Sequence, residues 1–113
     1  MARLTLHLVP EATWTAHDPA VPYVPAAYAD DGFIHCTDGD DLMIEVANRF
    51  YAGDPRAFLL LTVNLERAGS PWRFDDPERR YPHVYGTIDP ASVVDVRRML
   101  RLTDGTFTGI VPR

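Results

Sequence analysis

The sequence predicts an α+β protein. Three observations carry this: short strand-like runs are scattered along the chain, one long amphipathic helix stands among them, and the spacing follows no regular βαβ repeat. The 113 residues match the commonest size of one domain. A chain of that size buries roughly two-thirds of its unfolded surface, enough for one core without staples. With 46% hydrophobic and 24% charged residues the usage is globular, so residues 1–113 are expected to form a single domain.

Leu4-Thr5-Leu6-His7-Leu8-Val9 alternates as a strand does and stops at Pro10. Leu4, Leu6 and Leu8 share one face. Thr5, His7 and Val9 share the other, less apolar face, which suits a lined cleft or plain exposure. Pro10 ahead of Glu11-Ala12-Thr13-Trp14-Thr15-Ala16 starts a short helix. Pro19, Pro22 and Pro25 punctuate the next stretch, but Tyr23 and Tyr28 make it too apolar for a free linker. It is expected to be an ordered, packed loop with a short turn at Ala26-Ala27-Tyr28.

Asp30-Asp31-Gly32 signals a turn into a strand from Phe33 to Thr37. Thr37 or Asp38 then caps the long helix, with Asp40 and Asp41 in its positive first turn and Leu42, Met43, Val46, Ala47 and Phe50 as its apolar stripe. That helix ends near Gly53-Asp54-Pro55. Phe58 to Val63 is continuously apolar and reads as a central strand covered on both faces. Short strands at Trp72 to Asp75 and His83 to Gly86 follow, with a loop at 76–80 between them. A helical turn at Asp89-Pro90-Ala91-Ser92 precedes a strand from Val93 to Leu100. Asp104-Gly105 marks a tight turn in the tail.

Eleven basic against sixteen acidic residues give a net charge of −5, which argues against a nucleic-acid partner, since phosphate surfaces demand a basic excess. The basic runs Glu78-Arg79-Arg80 and Arg97 to Arg101 read as a solvated loop and the outer face of a strand rather than phosphate sites. No apolar stretch approaches the ~20 residues that span a bilayer, and Met1-Ala2-Arg3 goes straight into a strand-like run, so no signal peptide is expected. One cysteine, Cys36, forms no internal disulfide, so a reducing, cytoplasmic setting is expected. No membrane partner is expected, and the sequence leaves the oligomeric state open.

Three strand-borne histidines, His7, His35 and His83, are the best candidates for a site. On a strand His35 and Thr37 share a face while Cys36 points away, so the adjacent His and Cys are no dyad. His83 and Tyr85 share a face beside Gly86, a compact polar pair able to hold a ligand or knit a core. The spacings of 28 and 48 residues show no metal-ligand pattern, so no metal is expected. Asp75, near the His83 strand, is the carboxylate singled out. Its plain alternative is an exposed loop acid.

The strand with His7, the Gly32-Phe33-Ile34-His35-Cys36-Thr37 stretch and the Tyr81-Pro82-His83-Val84-Tyr85-Gly86 stretch resemble the bacterial family called domain of unknown function 952, over roughly Leu4 to Phe107. That family is similar in fold to the ADP-ribosyltransferase superfamily. The resemblance implies an ADP-ribosylation-like split pair of small, mainly antiparallel sheets, with one main helix and short helices. It implies that His7 holds a ribose, that Thr37, His83 and Tyr85 line a ligand, and that Asp75 and His35 are catalytic. No resident cofactor is implied, and NAD enters as a substrate. Asp75 is one methylene shorter than the superfamily's catalytic Glu and does not align with it securely. Two functions therefore stand beside a purely structural reading: an ADP-ribosyltransferase-like enzyme acting on NAD or a related nucleotide, and a non-catalytic domain that binds a nucleotide or other small ligand.

Overall fold

The structure, a computed structural model, describes residues 2–113. Its strands are β1 (Leu4–Pro10), β2 (Ile34–His35), β3 (Phe58–Asn64), β4 (Trp72–Phe74), β5 (Pro82–Val84), β6 (Val93–Arg101) and β7 (Phe107–Pro112). The α-helices are α1 (Glu11–Ala16), α2 (Tyr28–Asp31) and α3 (Asp40–Tyr51), with 3-10 turns at Leu65–Arg67 and Pro90–Ser92. A four-stranded sheet runs β1-β3-β6-β7 and a three-stranded one β2-β5-β4, and every pairing is antiparallel. The fold is α+β, as expected. Among the described residues no helix is long and apolar enough to cross a membrane.

The four-stranded sheet is the middle layer. Of its two inner strands, β3 is apolar from Phe58 to Leu61 and again at Val63 because both of its faces are covered. Leu60 and Phe58 meet Met43 and Ala47 of α3, together with Met99 and Phe107. On the opposite face Leu59, Leu61 and Val63 meet Tyr23, Ile34 and Val84 from the Pro-rich loop and the small sheet. Each such side chain fully withdrawn from water contributes about 1.5–3 kcal/mol. The Pro-rich segment is ordered, pinned by reciprocal Tyr23–Ile88 main-chain hydrogen bonds of 2.8 Å each.

The two sheets meet at residues 34–38. β2 pairs with β5, and Cys36 and Asp38 continue toward that strand by donating to the Pro82 and Arg80 carbonyls. Thr37 turns the other way and exchanges hydrogen bonds of 2.8 and 3.0 Å with Leu6 of β1. The expected strand from Phe33 to Thr37 is therefore broken in two, because the chain there serves both sheets.

Several local expectations are corrected. Neither Thr37 nor Asp38 caps α3. Gly39 takes the cap position at φ 93°, without a side-chain bond, while Asp38 is drawn off to Arg3 and to the Thr5 hydroxyl. Phe50 is 67% exposed, and Tyr51 packs on Phe58 in its place, ring centroids 5.4 Å apart. Arg97 and Arg101 do not form a solvated strand face. Arg97 pairs with Asp40 at 2.8 Å, and Arg101 donates to the carbonyls of Asp54 and Arg56 at 2.6 Å and of Ala52 at 3.2 Å, just past the end of α3. The tail is more than a turn. It forms β7, which carries the buried Phe107.

Candidate functional site

Where the chain crosses between sheets a cleft opens, with a volume of about 300 Å³. Its walls are mostly apolar and include Leu8, Pro25, Met43, Val46 and Phe58, with Tyr51, Tyr23 and Phe33 as aromatic surfaces. His7, His35 and Thr37 all line it. His83, Tyr85 and Asp75 do not. The three histidines thus divide into two in the cleft and one beside it.

His7 is buried and lines the cleft, one of the two settings that its strand pattern allows. Its Nδ1 lies 2.8 Å from the His35 carbonyl and its Nε2 3.1 Å from the Tyr23 hydroxyl. A carbonyl only accepts, so Nδ1 carries the proton and Nε2 accepts from Tyr23. Burial, opposed by the bond to the His35 carbonyl, brings its pKa down to about 4, so the ring is neutral. Both nitrogens are committed within the protein. Burial likewise pushes the Tyr23 hydroxyl up.

Thr37 is buried, and its hydroxyl makes no hydrogen bond among the described residues. His35 is the exposed member, with 60% of its side chain open to solvent and Nε2 2.9 Å from Asp31. Arg56 also lines the cleft, but its guanidinium is taken by Asp54 at 2.7 Å. Cys36 points to the core, as strand alternation requires. Burial raises its thiol to about 12, removing it as a nucleophile.

Beside the cleft the outer face of the small sheet carries a second group. The register sets His35 opposite His83 and His83 opposite Arg73, one row across three strands. Asp75 is the hub. Its Oδ2 accepts from His83 Nδ1 at 2.8 Å and from the Tyr85 hydroxyl, and its Oδ1 accepts from Arg73 Nε at 2.7 Å. Hydrogen bonds from Tyr85 and His83, then the Arg73 charge, hold its carboxyl at about 2. Phe33 links the two groups, lining the cleft while stacking on His83 with centroids 3.9 Å apart and planes within 16°.

Sequence reasoning passed over Phe33, Tyr23, Asp31 and Arg73 as site residues. Three carried a readable signal. Phe33 shares the His35 face two residues away, Arg73 bears the same relation to Asp75, and Asp31 precedes His35 by four. The Tyr23–His7 contact has no local signal. Among the described residues no group of three or more His, Cys, Asp or Glu side chains is placed to hold a metal ion.

Fold and site together define a small α+β protein with a ligand-sized cleft beside the junction of two antiparallel sheets. Over residues 8–96 the chain matches the family described as Protein of unknown function (DUF952), and it belongs to that family. Protein CC0527 from Caulobacter crescentus has a similar structure, both in its own sequence and in a form with two substitutions to methionine. Each is 25% identical over 94% of both chains, with a TM-score of 0.74. No curated protein matches the chain significantly.

Proposed function

We propose that the protein binds a mononucleotide or a similarly small planar ligand in the cleft. The carrying observation is the lining: aromatic and apolar walls around the unpaired Thr37 hydroxyl and the Nδ1 of His35, which has no partner among the described residues. Pockets for drug-sized ligands run from about 300 to 1,000 Å³, so this cleft is at the small end and favours one nucleotide over the dinucleotide NAD.

An ADP-ribosyltransferase-like enzyme is the weaker reading. That chemistry asks for a carboxylate facing the ribose to support a developing cation, and the cleft lining includes no Asp or Glu. Asp75 is committed to Arg73, His83 and Tyr85. His7, the expected ribose anchor, has no nitrogen left to offer.

Thermal shift with AMP, adenosine, NAD and ADP-ribose tests the reading. A bound ligand at 100 times its Kd stabilises by about 2.7 kcal/mol. AMP is expected to raise Tm, and Phe33→Ala and Thr37→Val to weaken that rise. No shift with any of the four refutes the reading. A shift with NAD and ADP-ribose but not AMP, accompanied by release of nicotinamide from NAD, restores the enzyme reading.

A further inference from the structure

The group around Asp75 is built as proton-transfer groups are built. A carboxylate holding Nδ1 fixes a histidine's ring and tautomer and leaves Nε2 as the working nitrogen. In His83 this orientation is set twice, by Asp75 on Nδ1 at 2.8 Å and by Phe33 stacked on the ring at 3.9 Å. Its Nε2 makes no hydrogen bond among the described residues and is not among the buried unpaired atoms, so it reaches the surface. Opposite stands His35, ring centroid 5.6 Å away, with Asp31 on its Nε2 and its Nδ1 open. Two imidazoles, each oriented by its own aspartate and each presenting one open nitrogen, stand side by side at the cleft rim. Solvent-facing sheet surface needs no such fixing for packing.

No activated nucleophile accompanies them among the described residues: the Thr37 hydroxyl makes no hydrogen bond to a base, and the Tyr85 hydroxyl is given to Asp75. Cys36 lies on the opposite face of the strand, in the core. Water is therefore the nucleophile that a two-histidine site can use. Acid–base attack by water suits a phosphodiester, which requires one proton to be taken and one to be given.

We propose that His83 and His35 are a catalytic acid–base pair that hydrolyses the phosphodiester of a cyclic mononucleotide whose base sits in the cleft. The proposal rests on the cleft reading above for the seat of the base. His83 Nε2 takes a proton from water as its oxygen bonds to phosphorus. The bond from phosphorus to one ribose oxygen breaks, and that oxygen takes a proton from protonated His35 Nδ1. The product is the ring-opened monoester, and a proton returned through solvent from His83 to His35 resets the pair. Asp75, with Tyr85 and Arg73 bonded to it or packed on it, and Asp31 are positioning residues.

The test is hydrolysis of 2′,3′-cyclic AMP followed against pH, run in parallel with AMP thermal shift. General acid–base catalysis contributes about 10²–10⁴-fold, so His83→Ala is expected to lower kcat by that factor, and His35→Ala likewise. The wild-type profile is expected to be bell-shaped, with the acidic limb missing in His83→Ala and the basic limb missing in His35→Ala. Added imidazole is expected to restore part of the His83→Ala rate, which a merely structural role does not predict. Asp75→Asn is expected to lower kcat and move the acidic limb while leaving KM nearly unchanged. Circular dichroism checks that each variant folds, and His83→Gln serves if the alanine variant does not. AMP binding without turnover overturns the acid–base pair and leaves the cleft reading standing. Absence of a thermal shift with both AMP and adenosine overturns the cleft reading whatever the turnover. Turnover that survives loss of either histidine overturns the pair as well.

Discussion

His7 Nδ1 donates to the main-chain carbonyl of His35 at 2.8 Å, so a buried histidine holds the backbone that presents an exposed one. The same ring accepts from Tyr23, which anchors the Pro-rich loop over the cleft. His7→Phe keeps the ring's shape and leaves the His35 carbonyl and the Tyr23 hydroxyl without a partner. Each buried orphan costs about 1–3 kcal/mol, so the variant is expected to lose about 2–4 kcal/mol in urea unfolding. An unchanged midpoint would show the ring to be dispensable.

Stability is expected to fall in mild acid through the same residue. Its pKa drops from an ordinary 6.5 to about 4 on folding, so between those values the unfolded chain binds more protons. His7 therefore contributes fully above 6.5, and its contribution is lost as pH falls toward 4, by about 3 kcal/mol in all. Asp75 and Asp54, held at about 2, act in the same sense but in a lower window, from 3.8 downward. Urea midpoints across the upper window are expected to slope in the native protein and to slope less in His7→Phe.

Cys36 is expected to be inert to thiol reagents at neutral pH. Its side chain is buried and its thiol is raised to about 12, so the reactive thiolate is scarce and out of reach. Stoichiometric labelling is expected only in denaturant. Rapid labelling of the folded protein would contradict the burial.

Arg101→Lys is expected to destabilise by about 2–3 kcal/mol although the charge is kept. The guanidinium fork reaches the carbonyls of Ala52, Asp54, Arg56 and Gly105 together, and a single ammonium cannot satisfy them all. Arg98→Lys, on the same strand but exposed and with no side-chain hydrogen bond among the described residues, is the control and is expected to stay within about 0.5 kcal/mol. Equal effects of the two substitutions would refute the fork's role.

Local pattern carried much of this architecture. The apolar run of β3, the alternation of β1 and the acidic start of α3 were all readable, because each is written in neighbouring residues. What pattern could not carry was register. His35 and His83 are 48 residues apart, and nothing local sets them opposite each other. The polar Thr5 and His7 leave their face fit for either a lined cleft or exposure, and only Tyr23 and the His35 main chain, both distant in sequence, decide for the cleft. β7 has a weak strand signal because Gly109 and Pro112 interrupt it, and the burial of Phe107 is settled by distant α3 and β3. Phe50 and Tyr51 are adjacent aromatics at the end of α3, and only the position of Phe58 decides which one packs.

The order β1-β3-β6-β7 interleaves with β2-β5-β4, so neither sheet can be assembled from one continuous stretch. β1 finds β3 only after the residues of β2 and α3 have passed between them. Asn48 of α3 closes hydrogen bonds of 2.7 and 3.0 Å with Phe107, 59 residues on. Loops must therefore close before these pairings yield any stabilisation, which puts folding on the slow side for its size, in milliseconds to seconds. While it folds, the apolar β3 segment waits with both edges unpaired, and this is the stretch most prone to join another chain.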